Sequence, residues 1–176
     1  MRKAHLFLAP LALAAAIPAF AQTAAPARST QNPQIDYTAF AALVSELGPV
    51  REARRLPWAE FARAARSGNA LLLDARSADA FARGHLKGAV NLPFTDFTAE
   101  ALRAVVGDDP ARPIYIYCNN NFSDHRPPVP LKSAPLALNI PTFINLHGYG
   151  YRNVWELADV IGSADADVAW ESAGAN

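Results

Sequence analysis

Leu71–Pro93, LLLDARSADAFARGHLKGAVNLP, carries three kinds of local signal in one run. Leu71-Leu72-Leu73 is a short continuous apolar run, the pattern of a strand buried on both faces. Ser77 can cap a helix start and Gly84 can close its end, so the spacing predicts one or two helical turns over Ser77–Arg83. Val90–Leu92 then reads as a second short strand. Strand, helix and strand in that order form the unit from which parallel sheets are built.

The flanking segments continue the alternation. Toward the N-terminus, Phe40, Leu43, Val44 and Leu47 recur at helical spacing, with Asp36 as N-cap and Gly48-Pro49 as the stop. Val50–Leu56 reads as a short edge strand. Pro57 opens a second helix that buries Trp58, Phe61 and Ala65 before Ser67-Gly68 ends it. Toward the C-terminus, Thr98 caps Ala99–Val106, Gly107 closes it, and Ile114–Tyr117 is a second β-rich apolar run. Thr142–Leu146 reads as a third, with a short helix before it from Ser133. Val154, Leu157, Ala158 and Ile161 lie at helical spacing and predict a last amphipathic helix with Trp155 in the core, followed by a strand at Val168–Trp170. The expected fold is α/β, a mostly parallel central sheet with helices on both faces, in one domain over residues 35–176. There is no internal repeat.

Composition narrows the function classes. Lys and Arg number 16 and so do Asp and Glu, so no global field draws the chain to nucleic acid or anionic lipid. The first 21 residues combine Arg2-Lys3, the apolar stretch Leu6–Phe20 and a small-x-small site at Ala19-Phe20-Ala21, the pattern of a secretory signal peptide cleaved before Gln22. Pro10 and Pro18 interrupt the stretch, which is shorter than the roughly 20 apolar residues of a membrane span. Gln22–Gln34 is rich in Ala, Thr, Pro and Ser and is expected to be a flexible leader. The expectation is a monomer in the periplasm or secreted, with no membrane contact after cleavage.

The chain has one cysteine, Cys118, so an internal disulfide is excluded. Cys118 follows the apolar run Ile114–Tyr117, at the carboxyl end of a strand, where open parallel sheets bind ligands. Asn119-Asn120-Asn121 come next, and asparagine enters left-handed conformations readily enough to build an anion-binding nest of N–H groups. From position alone Cys118 is either a small core hydrophobe or a thiol activated by that nest.

The sequence resembles rhodanese-like domains. Asp74 and Arg76 after the first strand, then Gly84-His85-Leu86-Lys87-Gly88-Ala89 and Val90–Pro93, are similar to the first signature of that family. PIYIYCNNN resembles its strand and active-site loop, and INLHGYGYRNVWEL its last strand, glycine turn and helix. The loop Cys-Asn-Asn-Asn-Phe and the segment LNIPTFINL further resemble a subgroup of exported single-domain members. The resemblance implies a three-layer fold and sulfurtransferase activity through a persulfide on Cys118. Backbone N–H groups of Asn119, Asn120, Asn121, Phe122 and Ser123 would form the substrate-binding cradle. Its partners would be a small sulfur-containing donor and a thiol acceptor, either of them free or on a protein.

Supporting roles follow from placement. Asp74 and Arg76 are expected as a structural pair near the loop, and His85 as a packing residue. His147 follows the predicted third strand on the side of Cys118 and could face the thiol. The loop has neither glycine nor base from Asn119 to Asp124, and Pro127, Pro128 and Pro130 delay any helix to about Ser133. Arg126 or Lys132 could fold back to supply the missing cation. The three histidines beyond His5 show no metal-ligand spacing with Cys118, so neither metal nor cofactor is expected. A cysteine phosphatase would need an arginine six positions after Cys118, where Asp124 stands. The other alternative is a binding or thiol-redox module without turnover.

Overall fold

The computed structural model describes residues 32–124 and 131–172, so the segment expected to be a signal peptide, Arg126 and all but the last three residues of the expected leader lie outside the described residues. Asn32–Gln34 form a local turn. From Asp36 onward the chain is one unit.

Asp36 caps α1 (Tyr37–Glu52) by accepting from the Ala39 N–H at 2.8 Å. The helix runs through Gly48-Pro49, where the sequence predicted a stop. Pro49 removes one donor to Ser45, but Ser45 is exposed, so its carbonyl can turn to water. The expected strand Val50–Leu56 shrinks to β1 (Arg55–Leu56). Of the predicted α1 face, Leu47 is buried and Leu43 packs against the core, whereas Phe40 and Val44 are each 43 % exposed.

The next six segments form close to where the sequence places them. They are α2 (Trp58–Ala65), β2 (Leu71–Asp74), α3 (Ala78–Arg83), β4 (Val90–Asn91), α4 (Ala99–Val106) and β5 (Ile114–Tyr117), with a short β3 (His85–Leu86) between α3 and β4. Ser77 and Thr98 cap α3 and α4 through their side chains. Gly107 ends α4 at φ 94, a left-handed value that a side chain would resist.

The last third reverses the expectation. Residues predicted as the third strand lie in α5 (Asn139–Gly148), and those predicted as the last helix begin with β6 (Val154–Leu157). The short helix expected from Ser133 is a single 3-10 turn, Ala134–Leu136. Pro141 is tolerated in α5 because it stands in the first turn, where an N–H has no intrahelical partner. β7 (Trp170–Glu171) closes the chain on β3 as an antiparallel pair.

The main sheet is five-stranded and parallel, in the order β1-β6-β5-β2-β4. One face packs Leu71, Leu73, Ile114, Ile116 and Val154 against α1, α4 and α5. The other packs Leu72, Tyr115, Tyr117 and Leu157 against Phe61 of α2 and the β3–β7 pair. Strands β2 and β5 are therefore buried at every position, as a doubly covered parallel sheet requires. The arrangement is the expected α/β fold with a mostly parallel sheet.

Candidate active site

Cys118 is the first residue beyond β5, the central strand, and Asp74 ends the neighbouring β2 in register with Tyr117. The alternation of β5 turns Ile116 and Cys118 to the face covered by α5. After Cys118 the chain forms a 3-10 turn, Asn119–Asn121, in place of the expected nest in which right- and left-handed residues alternate.

The cradle uses fewer loop amides than the sequence predicts. The Asn121 N–H turns back on Cys118, reaching both its carbonyl and its sulfur. The Phe122 N–H donates to Asn119, and the Ser123 N–H donates to the Ile161 carbonyl at 2.9 Å. Phe122 anchors the loop instead, its ring edge-on to Tyr117 at 5.8 Å and to Trp170 at 5.0 Å. Ser123 is tied to Ile161 and leaves the sulfur. Amides at the start of α5 act on the thiol as well: the backbone N–H groups of Asn139 and Leu138, with that of Asn120, lower its pKa. A helix N-terminus therefore does meet the Cys118 loop, through the bond from Asn139 to Asn121, but it belongs to a helix starting 21 positions later in the chain.

Burial dominates the thiol. Cys118 is 2 % exposed, which pushes its pKa up from the ordinary thiol range. The N–H groups of Asn139, Asn120 and Leu138 pull it down, and the Glu156 carboxylate on β6 adds to the rise. Glu156 is itself buried and accepts both a 2.7 Å and a 2.5 Å bond from Arg51 of α1.

The three asparagines also work through their side chains. Asn119 Oδ1 accepts from Arg76 at 3.3 Å. Asn120 exchanges two bonds with the backbone of Lys132, bringing the returning chain to the loop. Asn121 Oδ1 accepts from the Cys118 N–H and from Asn139 Nδ2, while its Nδ2 donates to the carbonyls of Leu157 and Asp159.

Asp74 and Arg76 form the expected pair, with the Arg76 guanidinium donating to both carboxylate oxygens and to the Gly84 carbonyl. Tyr117 completes the set. Its hydroxyl donates to Asp74 at 2.7 Å and accepts from the Leu86 N–H. Burial first, then the Asp74 carboxylate, pushes the Tyr117 hydroxyl well above its ordinary range, so it stays a neutral donor. The sequence gives no hint of Tyr117 beyond its β-rich run.

His147 is not beside the thiol. It stands in the last turn of α5, about 12 Å along the axis from the amides that face Cys118. Its Nδ1 is bonded to the Phe143 carbonyl, and burial lowers its pKa. His85 packs as expected, its ring stacked on Phe81 at 3.6 Å. Lys132 lines an open cleft of about 510 Å³ together with Arg76, Arg83, Asn119, Leu131 and Leu138. Asp124 turns to Ser163, accepting from both its N–H and its hydroxyl. Among the described residues no cluster of three or more His, Cys, Asp or Glu could hold a metal ion.

A family model described as the rhodanese-like domain matches residues 58–158, from the first residue of α2 to just beyond β6. The chain belongs to the rhodanese-like family. No curated protein matches it. Among solved structures, this rhodanese-like protein is similar to a Bacillus halodurans protein at 15 % identity and TM-score 0.50, covering 76 % of this chain and 85 % of that one. The rhodanese-like domain of an Anabaena sp. protein aligns at 19 % identity and TM-score 0.45, over 68 % and 79 % of the two chains. The homodimeric polysulfide-sulfur transferase of Wolinella succinogenes aligns at 16 % and 0.43, over 78 % and 93 %. At these identities the likeness is one of fold.

Proposed function

We propose that this protein is an exported sulfurtransferase that carries sulfur as a persulfide on Cys118. One observation carries the reading: the sole thiol of a rhodanese-like chain stands at the carboxyl end of the central strand, with the Asn121 N–H turned back onto its sulfur and the start of α5 bonded to the same loop. Such an amide favours a negative charge on that sulfur.

Two displacements complete the cycle. The Cys118 thiolate attacks the outer sulfur of a donor, forming an S–S bond as the donor's own bond breaks. The electron pair leaves with sulfite from thiosulfate, or with a thiolate from an organic persulfide. An acceptor thiolate or cyanide then attacks the outer sulfur of the Cys118 persulfide, and the Cys118 thiolate departs. One sulfur atom moves, with no external oxidant or reductant. The cleft beside Asn119 and Lys132 is of the size that takes a small organic molecule. Export is proposed from the signal-like first 21 residues, and placement in the exported single-domain subgroup from the Cys-Asn-Asn-Asn-Phe loop.

A second reading, a binding or thiol-redox module without turnover, is favoured by the burial that holds the thiol high. Intact mass after exposure to thiosulfate or an organic persulfide separates the two. Sulfur transfer requires a gain of one sulfur atom on Cys118 that cyanide or a thiol removes. A reduced, alkylatable Cys118 that gains no sulfur from any donor supports the module.

A further inference from the structure

The amides that face the sulfur from α5 come from far along the chain, and nothing in the local sequence of the loop brings them there. The connection between Asn121 and Asn139 is side chain to side chain. Asn139 Nδ2 donates to Asn121 Oδ1 at 3.0 Å, and the same oxygen accepts the Cys118 N–H at 2.9 Å. Both amide hydrogens of Asn121 are spent on Leu157 and Asp159 at the end of β6, at 3.0 Å each. Two bonds accepted and two donated exhaust a carboxamide, so Asn121 is a saturated junction between β5, β6 and α5.

Asn139 is different. It is 4 % exposed, and its Oδ1 has no partner among the described residues. A buried carbonyl oxygen without a hydrogen bond is costly, and an apolar residue of the same size would avoid that cost. The side chain therefore gives the fold one bond, to Asn121, against one orphaned acceptor. That exchange is poor as a source of stability. It is useful as a register pin, because it ties the first residue of α5 to the side chain that holds the Cys118 backbone.

We propose that Asn139 is a positioning residue of the thiol site, whose side-chain bond to Asn121 seats the start of α5 so that the Leu138 and Asn139 amides face the Cys118 sulfur. The inference rests on Cys118 being the reacting group but concerns its geometry alone. The ionisable group facing the sulfur from β6 is Glu156, itself paired with Arg51 of α1, and α5 contributes His147 only at its far end.

The test is the pH profile of Cys118 alkylation by iodoacetamide in the full chain and in Asn139→Leu, with thermal unfolding measured alongside. Asn139→Leu should melt no lower than the wild type, because it removes an orphaned acceptor, yet alkylate about tenfold more slowly at neutral pH, the change that one pKa unit produces. Its profile should move to higher pH. Thr142→Val is the control: Thr142 Oγ1 is a second orphan on the same helix with no bond to the loop, so its removal should leave the profile in place. Should Asn139→Leu not fold, Asn139→Ser, too short to reach Asn121, is read in the same way. A wild-type profile in a folded Asn139 variant overturns the inference, as does failure of both variants to fold, which would make the role structural. Because alkylation needs no sulfur donor, a wild type that never forms a persulfide defeats the sulfurtransferase reading without touching this one.

Discussion

Arg76 donates to Asn119 at 3.3 Å while its other guanidinium nitrogens grip Asp74, so the turn after β2 and the loop after β5 are one hydrogen-bonded unit. The guanidinium that reaches the loop is thus committed to a buried carboxylate, and the loop's own sequence supplies no cation from Asn119 to Asp124.

Arg76→Ala should destabilise the fold by about 3–5 kcal/mol, because it strands the Asp74 carboxylate, which is fully buried. Arg76→Lys should recover little of this, since an ammonium cannot make the bidentate contact and still reach Gly84. Urea unfolding of the three proteins measures it.

The buried thiol makes stability depend on pH. Its pKa is higher folded than unfolded, so below the unfolded value of about 8.5 the contribution is fully present, and it is lost as pH rises through the folded value. The difference in unfolding free energy between wild type and Cys118→Ala should therefore shrink from neutral to alkaline pH. Comparing the two proteins cancels the tyrosines. A constant difference would mean that the thiol titrates as it does in the unfolded chain.

Glu156→Gln should make Cys118 more reactive toward alkylation near neutral pH by removing a negative charge that faces the sulfur. It should also cost about 1–3 kcal/mol, as Arg51 loses its charged acceptor but is 21 % exposed and can turn to water. Alkylation rate and urea midpoint should move in opposite directions.

Gly84→Ala should disturb the loop from a distance. A Cβ at Gly84 would lie 2.6 Å from Trp170 Cε2, so the indole must move, and it is the ring on which Phe122 rests. Overpacking of this kind costs about 1–3 kcal/mol. A red shift of tryptophan emission with a lower melting temperature is the expected outcome.

Much of the fold is legible because its determinants are local. Leu71-Leu72-Leu73, the caps Ser77 and Thr98, and the closing glycines Gly84 and Gly107 act within a turn or two, and they fix β2, α3 and α4. Cys118 is placed at a strand end by the same logic, since the apolar run before it is continuous and three asparagines end it.

What tertiary structure decided lies in the last third. Thr142–Leu146 reads as a strand because it is apolar and β-branched, yet Asn139, Thr142, Phe143, Leu146 and His147 are buried at the period of a helix packed on the sheet, with Ile144 buried beside them. Val154–Leu157 reads as the start of a helix because Val154, Leu157, Ala158 and Ile161 lie at helical spacing. It is a strand buried between β1 and β5, and Glu156 is tolerated only because Arg51, 105 residues earlier, meets it there. That exchange moved His147 away from the thiol and brought the α5 amides to it. A local pattern can specify a cap or a run, but not which distant side chain will neutralise a buried charge or which helix will end at a sulfur.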